Sequence, residues 1–358
     1  DQENPGTEPA FSLRLPVREQ AMAITGIRRL VFMVEEVAKP LQTLTDMGLR
    51  PLETDPSSAR LSTMNGAEVR LLKRGHAELP QAGAQTGIGV FECIWAVDSQ
   101  AGLDRLCADL ARDHALTTDA EGVVHFVTPF GQAIGLQVWQ GLAVHGAPSP
   151  SNTPGVIGRL NQPRKWLARA VPKRIHHCVW TFPDVQVGVD YYRDRLSFRL
   201  TDTQKGFGVY MRADGCFEHH NIFLADAHAR MPGFDGTPAS GTLKFHHANF
   251  EVEDIDELMV GKNWLDRRGY KHSGWGLGRH RLTSAAFLYI DAPELGGDME
   301  YGADCDMVDD SWKPRVWDGA FGTAIFMHEL PHWMMGEPNW DVTYARDDQL
   351  RYLPADPR

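Results

Sequence analysis

No apolar run reaches the ~18 to 20 residues that a helix needs to cross a bilayer, so the sequence does not point to a membrane protein. Cysteine is scarce: Cys93, Cys107, Cys178, Cys216 and Cys305 are odd in number and form no CxxC spacing. Neither a disulfide framework nor a zinc knuckle is therefore indicated, and a reducing, cytoplasmic setting is expected. Positive charge is also in short supply. The 358 residues carry a formal net charge of −11, and an acidic chain without a large basic patch repels nucleic acid and anionic membranes. Its one basic run, Arg164 to Arg174, is short and reads as a solvated linker face. The opening residues Asp1-Gln2-Glu3-Asn4-Pro5 lack the basic and apolar regions of a signal peptide.

What is present is enough chain for two domains. Residues 1–21 are polar and without period, which suggests a surface arm. From Ile24 the pattern reads strand, helix, strands, and the series recurs from Gly89 within a first domain spanning 22–145. A linker rich in Pro, Ser, Asn, Gly and Arg follows at 146–173. Two more rounds run from Ile175 and from Phe245 within a second domain at 174–303. The fold class expected is α+β, with two domains, each of two paired βαβββ modules whose curved sheet encloses a cavity with helices outside. Residues 304–358, with Trp312, Trp317, Trp333, Trp340, His328 and His332, form a tail that either packs on the core or covers a cavity mouth as a lid.

Six of the fifteen histidines occur as pairs: His176-His177, His219-His220 and His246-His247. Side chains alternate along a strand, so each pair is expected to offer one imidazole to a common cavity. A single pair is unremarkable. Three pairs in successive strand segments, followed by Glu300 on the last strand, form a pattern. Two imidazoles and one carboxylate suit non-haem Fe(II) and leave open positions, and zinc or manganese accept the same ligands.

The segments that carry these groups run in order. They are Arg174-Ile175-His176-His177-Cys178-Val179-Trp180, Glu218-His219-His220-Asn221 and Phe245-His246-His247-Ala248-Asn249-Phe250. Gly278-Arg279-His280, Phe287-Leu288-Tyr289 and Asp298-Met299-Glu300-Tyr301-Gly302 follow. Together they resemble the catalytic domain of type I extradiol catechol dioxygenases, of the vicinal oxygen chelate (glyoxalase-like) superfamily, over residues 174–303. The resemblance implies that His177, His247 and Glu300 bind the metal, Fe(II) or alternatively Mn(II), with His176 and His246 pointing away. It implies an acid-base role for His220 and substrate binding by His280 and Tyr289. Leu282 and Thr283 stand where many relatives have Asn-Asp, and the turn Pro293 to Gly297 is one residue longer, so both departures bear on substrate identity. Aligning the two halves puts Arg29 opposite His177, Glu92 opposite His247 and Gly135 opposite Glu300, as in a degenerate, non-catalytic copy.

On this resemblance the expected activity is extradiol (meta) cleavage of a catecholic substrate with both atoms of O2, by a homo-oligomer. His220 would move protons at a pKa near working pH, and His280 and Tyr289 would donate hydrogen bonds to the ring oxygen. Two alternatives stand beside it: a glyoxalase-like isomerase or lyase, and a small-molecule-binding protein of the same fold. Arg279 and Arg315 are the cations that an acidic substrate would call on.

Overall fold

Two mixed sheets share one element order. The computed structural model describes residues 24–80, 85, 87–229, 243–330 and 342–355. The expected arm at 1–21 lies outside them, as do His332, Trp333 and Trp340. The first half contains β1 (Ile24–Val34), α1 (Ala38–Asp46), β2 (Arg50–Thr54), β3 (Ser58–Ser62) and β4 (Glu68–Lys73). It continues with β5 (Gly89–Val97), α2 (Gln100–Leu110), β6 (Thr117–Thr118), β7 (Val124–Val127) and β8 (Ala133–Val138). These strands lie in the order β2-β3-β4-β1-β5-β8-β7-β6.

In the second half come β9 (Arg174–Phe182), α3 (Val185–Leu196), β10 (Arg199–Gln204), β11 (Gly208–Arg212) and β12 (Ile222–Asp226). Then follow β13 (Lys244–Glu251), α4 (Ile255–Asp266), β14 (His272–Arg279), β15 (Ala286–Ile290) and β16 (Asp298–Ala303). The order β14-β15-β16-β13-β9-β12-β11-β10 is the first arrangement over again. Each half is therefore two βαβββ modules joined by one antiparallel pair, β1 with β5 and β9 with β13. The tail adds β17 (Arg315–Trp317), α5 (Gly319–Thr323), β18 (Phe326–Met327) and β19 (Val342–Tyr344). Among the described residues no helix is long and apolar enough to cross a membrane.

Local chemistry sets the helix starts. Ser99, Asp184 and Asp254 each accept a hydrogen bond from a backbone N–H of the first turn of α2, α3 and α4. Strands β2, β6, β10 and β14 were not evident from pattern. Strand β2 is exposed at every position, so it has no buried face to impose alternation.

The halves share one core. Phe32 meets Phe245 edge to face at 5.5 Å, and Trp95 packs on Tyr192 and Phe198. The Tyr301 hydroxyl donates to Met47 O at 2.8 Å, and Trp264 Nε1 donates to Asp46 O at 2.9 Å. In the longer turn after β15, Gly296 has φ +78° and lies so close to Ile88 that a Cβ would sit 2.2 Å from its carbonyl oxygen. That turn docks on the first half. The basic run pairs locally: Arg164 with Asp256, Lys165 with Glu253, Lys173 with Glu257, and Arg174 with Glu218 and Glu251.

Register relates the halves residue by residue. His177 faces Asn249 and Arg29 faces Ile94, while Asn249 faces Glu300 and Ile94 faces Gly135. Arg29, Glu92 and Gly135 thus occupy the places of His177, His247 and Glu300. A Cβ at Gly135 would lie 2.8 Å from Ile94 Cγ1 and 3.0 Å from Val123 Cγ1, so no ligand side chain fits there. Ion pairs fill the space instead. Arg29 donates to Glu68 at 2.9 Å and to Glu121 at 2.7 Å, and His125 bridges Glu92 at 2.6 Å and Asp119 at 3.2 Å.

Burial disfavours the charged His125 ring, but Glu92 and then Asp119 outweigh it and hold its pKa above the ordinary value. A pKa raised on folding contributes stability that is complete below the unfolded value near 6.5 and is lost as pH rises through the folded value. The thermal midpoint of wild type should therefore fall relative to that of His125→Gln as pH is raised from about 6 to 9. Parallel profiles for the two proteins would refute this contribution.

Candidate active site

Two β-bulges build the site. In the pairing of β9 with β13, His247 faces Val179 and Phe245 faces Trp180, which leaves His246 as the extra residue. Asn249 faces His177 and Phe250 faces Ile175, which leaves His176 as the extra residue on the other strand. Each bulge breaks the alternation of faces. The expectation that His176 and His246 point away is therefore corrected: both line the same cavity as His177 and His247. His176 Nδ1 lies 2.8 Å from His177 Nδ1, and His246 Nδ1 lies 2.7 Å from His247 Nδ1. The third pair sits in a loop before β12. There only His220 lines the cavity, while His219 turns to Asp202 at 3.1 Å.

His177, His247 and Glu300 converge. Their ligand-type atoms lie within 4.8 Å of one another, the one such group among the described residues. The two Nε2 atoms are 3.3 Å apart, and Glu300 Oε2 is 3.3 Å from His177 Nε2 and 3.4 Å from His247 Nε2. Burial, then the neighbouring histidines, holds His247 well below the ordinary imidazole range, so it is neutral. Glu300 is 1% exposed and its Oε2 accepts no hydrogen bond. A buried carboxylate oxygen facing two imidazole nitrogens calls for a cation. Fe(II) or Mn(II) fits this donor set.

His220, His280 and Tyr289 line the same cavity, which encloses about 770 Å³ with its open mouth included. The His220 ring lies 4.2 Å from that of His177, and burial and then His177 push its pKa well below the ordinary value. Burial, then Glu300, pushes the Tyr289 phenol well up, so it keeps its proton. Tyr289 stands edge-on to His247 at 5.1 Å. His280 Nδ1 donates to Thr323 O at 2.7 Å, and its Nε2 is 3.4 Å from the Tyr289 hydroxyl. A carbonyl only accepts, so neutral His280 presents Nε2 as an acceptor. This differs from the expected donor role, which only the protonated ring could fill. Val179, Phe223, Trp275 and Leu282 supply an apolar wall.

No protein-family profile matches the chain. It is 30% identical over 190 residues to metapyrocatechase 2 of Cupriavidus necator, covering 52% of this chain and 54% of that one. Identity is also 30% over 151 residues to an iron-dependent extradiol dioxygenase of Rhodococcus jostii (strain RHA1), covering 39% and 46%. The chain spans about half the length of the relatives it matches. Among solved structures, the Mn(II)-bound glyoxalase from Novosphingobium aromaticivorans superposes with TM-score 0.65 at 19% identity, covering 92% of this chain and 98% of that one. BphC, a halotolerant catechol dioxygenase, does so with TM-score 0.64 at 16% identity, covering 90% and 99%. The chain has the vicinal oxygen chelate fold.

Onto this vicinal oxygen chelate frame the tail adds sheet. Strands β17 and β19 extend the edge at β10, and β18 pairs with β14. Asp202, fully buried on β10, is the anchor. It accepts from Arg315 N at 2.6 Å and Trp317 Nε1 at 3.0 Å as well as meeting His219. Gln204 Nε2 donates to Gly319 O and to Thr323 Oγ1, which braces the carbonyl that holds His280. Leu282 packs with Trp317 and Phe321, and Thr283 O accepts from Asp306 N at 2.9 Å. Arg279 is held by Asp304 at 2.8 Å, Arg315 stacks over Trp312 at 4.2 Å, and neither lines the cavity.

Sequence reasoning missed Trp275, Gln204 and Tyr210, which also line the cavity. Trp275 sits between Gly274 and Gly276, an aromatic flanked by glycines that offers a faint signal. Thr323 had none, because it holds His280 through its backbone carbonyl.

Removing the Asp202 carboxylate leaves three donors, Arg315 N, Trp317 Nε1 and His219 Nε2, without their acceptor. Asp202→Ala is expected to lower the unfolding free energy by about 3 kcal/mol in urea titrations and to speed protease cleavage between residues 305 and 330. An unchanged midpoint and digest would show that the anchor lies elsewhere.

Proposed function

We propose that this protein cleaves a catechol-type ring beside its two hydroxyls, in the extradiol (meta) sense, inserting both atoms of O2. His177, His247 and Glu300 hold Fe(II), or alternatively Mn(II). The observation that carries the reading is a buried group of three metal-binding atoms in one cavity with His220, His280 and Tyr289. The likeness to metapyrocatechase 2 supports it.

Bound Fe(II) supplies a route for electron density between a singlet ring and triplet dioxygen, whose direct reaction is slow. The protein's own groups handle binding and protons. Val179, Phe223, Trp275 and Leu282 pack on the ring and exclude water. His220, neutral because it is buried, takes a hydroxyl proton from the catechol and later returns one to the oxygen that leaves in O–O cleavage. Tyr289 keeps its proton and donates a hydrogen bond to the ring oxygen where negative charge develops. His280, with its proton committed to Thr323 O, accepts the Tyr289 proton at Nε2 until substrate binds, and that single proton then turns to the ring oxygen.

The division into a supporting half (22–145), a linker (146–173), a metal-binding half (174–303) and a tail (304–358) belongs to this proposal. So do a homo-oligomeric state and a cytoplasmic setting that keeps the five thiols reduced. Exposed Val156, Ile157, Leu160 and Trp166 on the linker support subunit contact.

The test is oxygen uptake by protein loaded anaerobically with Fe(II), across catechols from simple to biaryl. One O2 consumed per catechol with a yellow ring-fission product is the expected result. No uptake despite one bound metal per chain would overturn the reading in favour of an isomerase or a binding protein of the same fold.

Two substitutions test the roles. Glu300→Ala should lose most of its iron by metal analysis, and wild-type content would rule Glu300 out as a ligand. His220→Phe should keep iron yet turn over about 10² to 10⁴ times more slowly, so unchanged turnover would remove its acid-base role.

A further inference from the structure

We propose that His176 and His246 are positioning residues that fix the tautomers of the two ligand histidines, an inference that rests on the metal site proposed above. Each ligand ring has its Nδ1 within hydrogen-bond distance of the Nδ1 of the residue before it, at 2.8 Å for His176-His177 and 2.7 Å for His246-His247. Between two neutral imidazoles one nitrogen donates and the other accepts. Each pair has two assignments, and a mixed choice leaves one Nε2 protonated and that ligand position blocked. If His177 and His247 accept at Nδ1, both carry their proton on Nε2, and two N–H groups turn toward Glu300 Oε2 and close the site to any cation. If they donate from Nδ1, both Nε2 lone pairs join Glu300 Oε2 in one converging set. Only the second arrangement binds metal.

A ligand histidine ordinarily gives its other N–H to a carboxylate, a carbonyl or a water, which orients the ring and raises its basicity. Here the acceptor is the neighbouring imidazole. The bulges explain how adjacent residues can do this. On a regular strand His176 and His246 would face away from their neighbours; as the extra residue at each irregularity they share the face of the ligands. The doubled histidine is a ligand together with its own orienting acceptor, repeated on two antiparallel strands.

Asparagine carries an acceptor oxygen near the place of Nδ1, and leucine carries none. The experiment measures Co(II) binding to the full-length apoprotein by chelator competition, with thermal midpoints of the apoproteins as a control for folding. His176→Leu and His246→Leu should each weaken Co(II) binding about 10- to 100-fold, and His176→Asn and His246→Asn should recover most of that loss. Equal weakening in the Leu and Asn variants, or none in either, would overturn the inference. If the Leu variants fail to fold, ¹⁵N-histidine spectra of the Zn(II)-loaded wild type read the tautomers directly. Protons on Nδ1 of His177 and His247 are expected there, and protons on Nε2 would sink the idea. Absence of Co(II) binding by wild type would instead bring down the metal site itself.

Discussion

The pairing of β9 with β13 is the constraint on which the rest of the structure depends. One residue bulges from each strand, His176 on one and His246 on the other, so the register shifts once and then returns. Between the two irregularities His247 faces Val179 and His177 faces Asn249. Strand β16 then brings Glu300 alongside Asn249 from the far side. Three buried polar groups are thereby placed around one point, and strand ladders that cannot slide hold them there.

Such a convergence is costly without a counter-charge, and the first half shows how the same frame relieves it. There Arg29 stands in the place of His177 beside Glu68 and Glu121, and Glu92 stands in the place of His247 beside His125. Cation meets carboxylate, and Gly135 leaves no room for a third ligand. One half thus satisfies its buried charges internally, while the other leaves a carboxylate oxygen without a donor. The first half also supplies the opposite wall of a common core, with Phe32 on Phe245 and Trp95 on Tyr192. It backs the strands that carry the cavity side chains.

The tail completes the cavity from the other side. Through Asp202 it ties Arg315 and Trp317 to the strand beside His219, and through Thr323 O it sets which nitrogen of His280 carries the proton. A segment without periodic pattern therefore acts on site chemistry through backbone atoms. Residue identity carries little trace of such a role, because any residue at that turn offers the same carbonyl.

Much of the architecture follows from the sequence alone. Strand and helix periods differ, so four rounds of strand, helix and strands stand out, and α3 begins and ends where its pattern and its Asp184 cap indicate. The paired histidines, Glu300, His280 and Tyr289 are conspicuous because such groups are rare together, and all of them except His219 line one cavity. Other features were decided only by tertiary structure. Bulges at His176 and His246 depend on how two strands pair, which is a property of both chains of hydrogen bonds and of neither sequence segment by itself. Strands β2 and β14 and the tail strands take their form from a neighbour's open edge rather than from alternation of their own. Direction of side chains, choice of tautomer and convergence on one point are long-range outcomes, because they are set by groups far apart in the chain that only folding brings together.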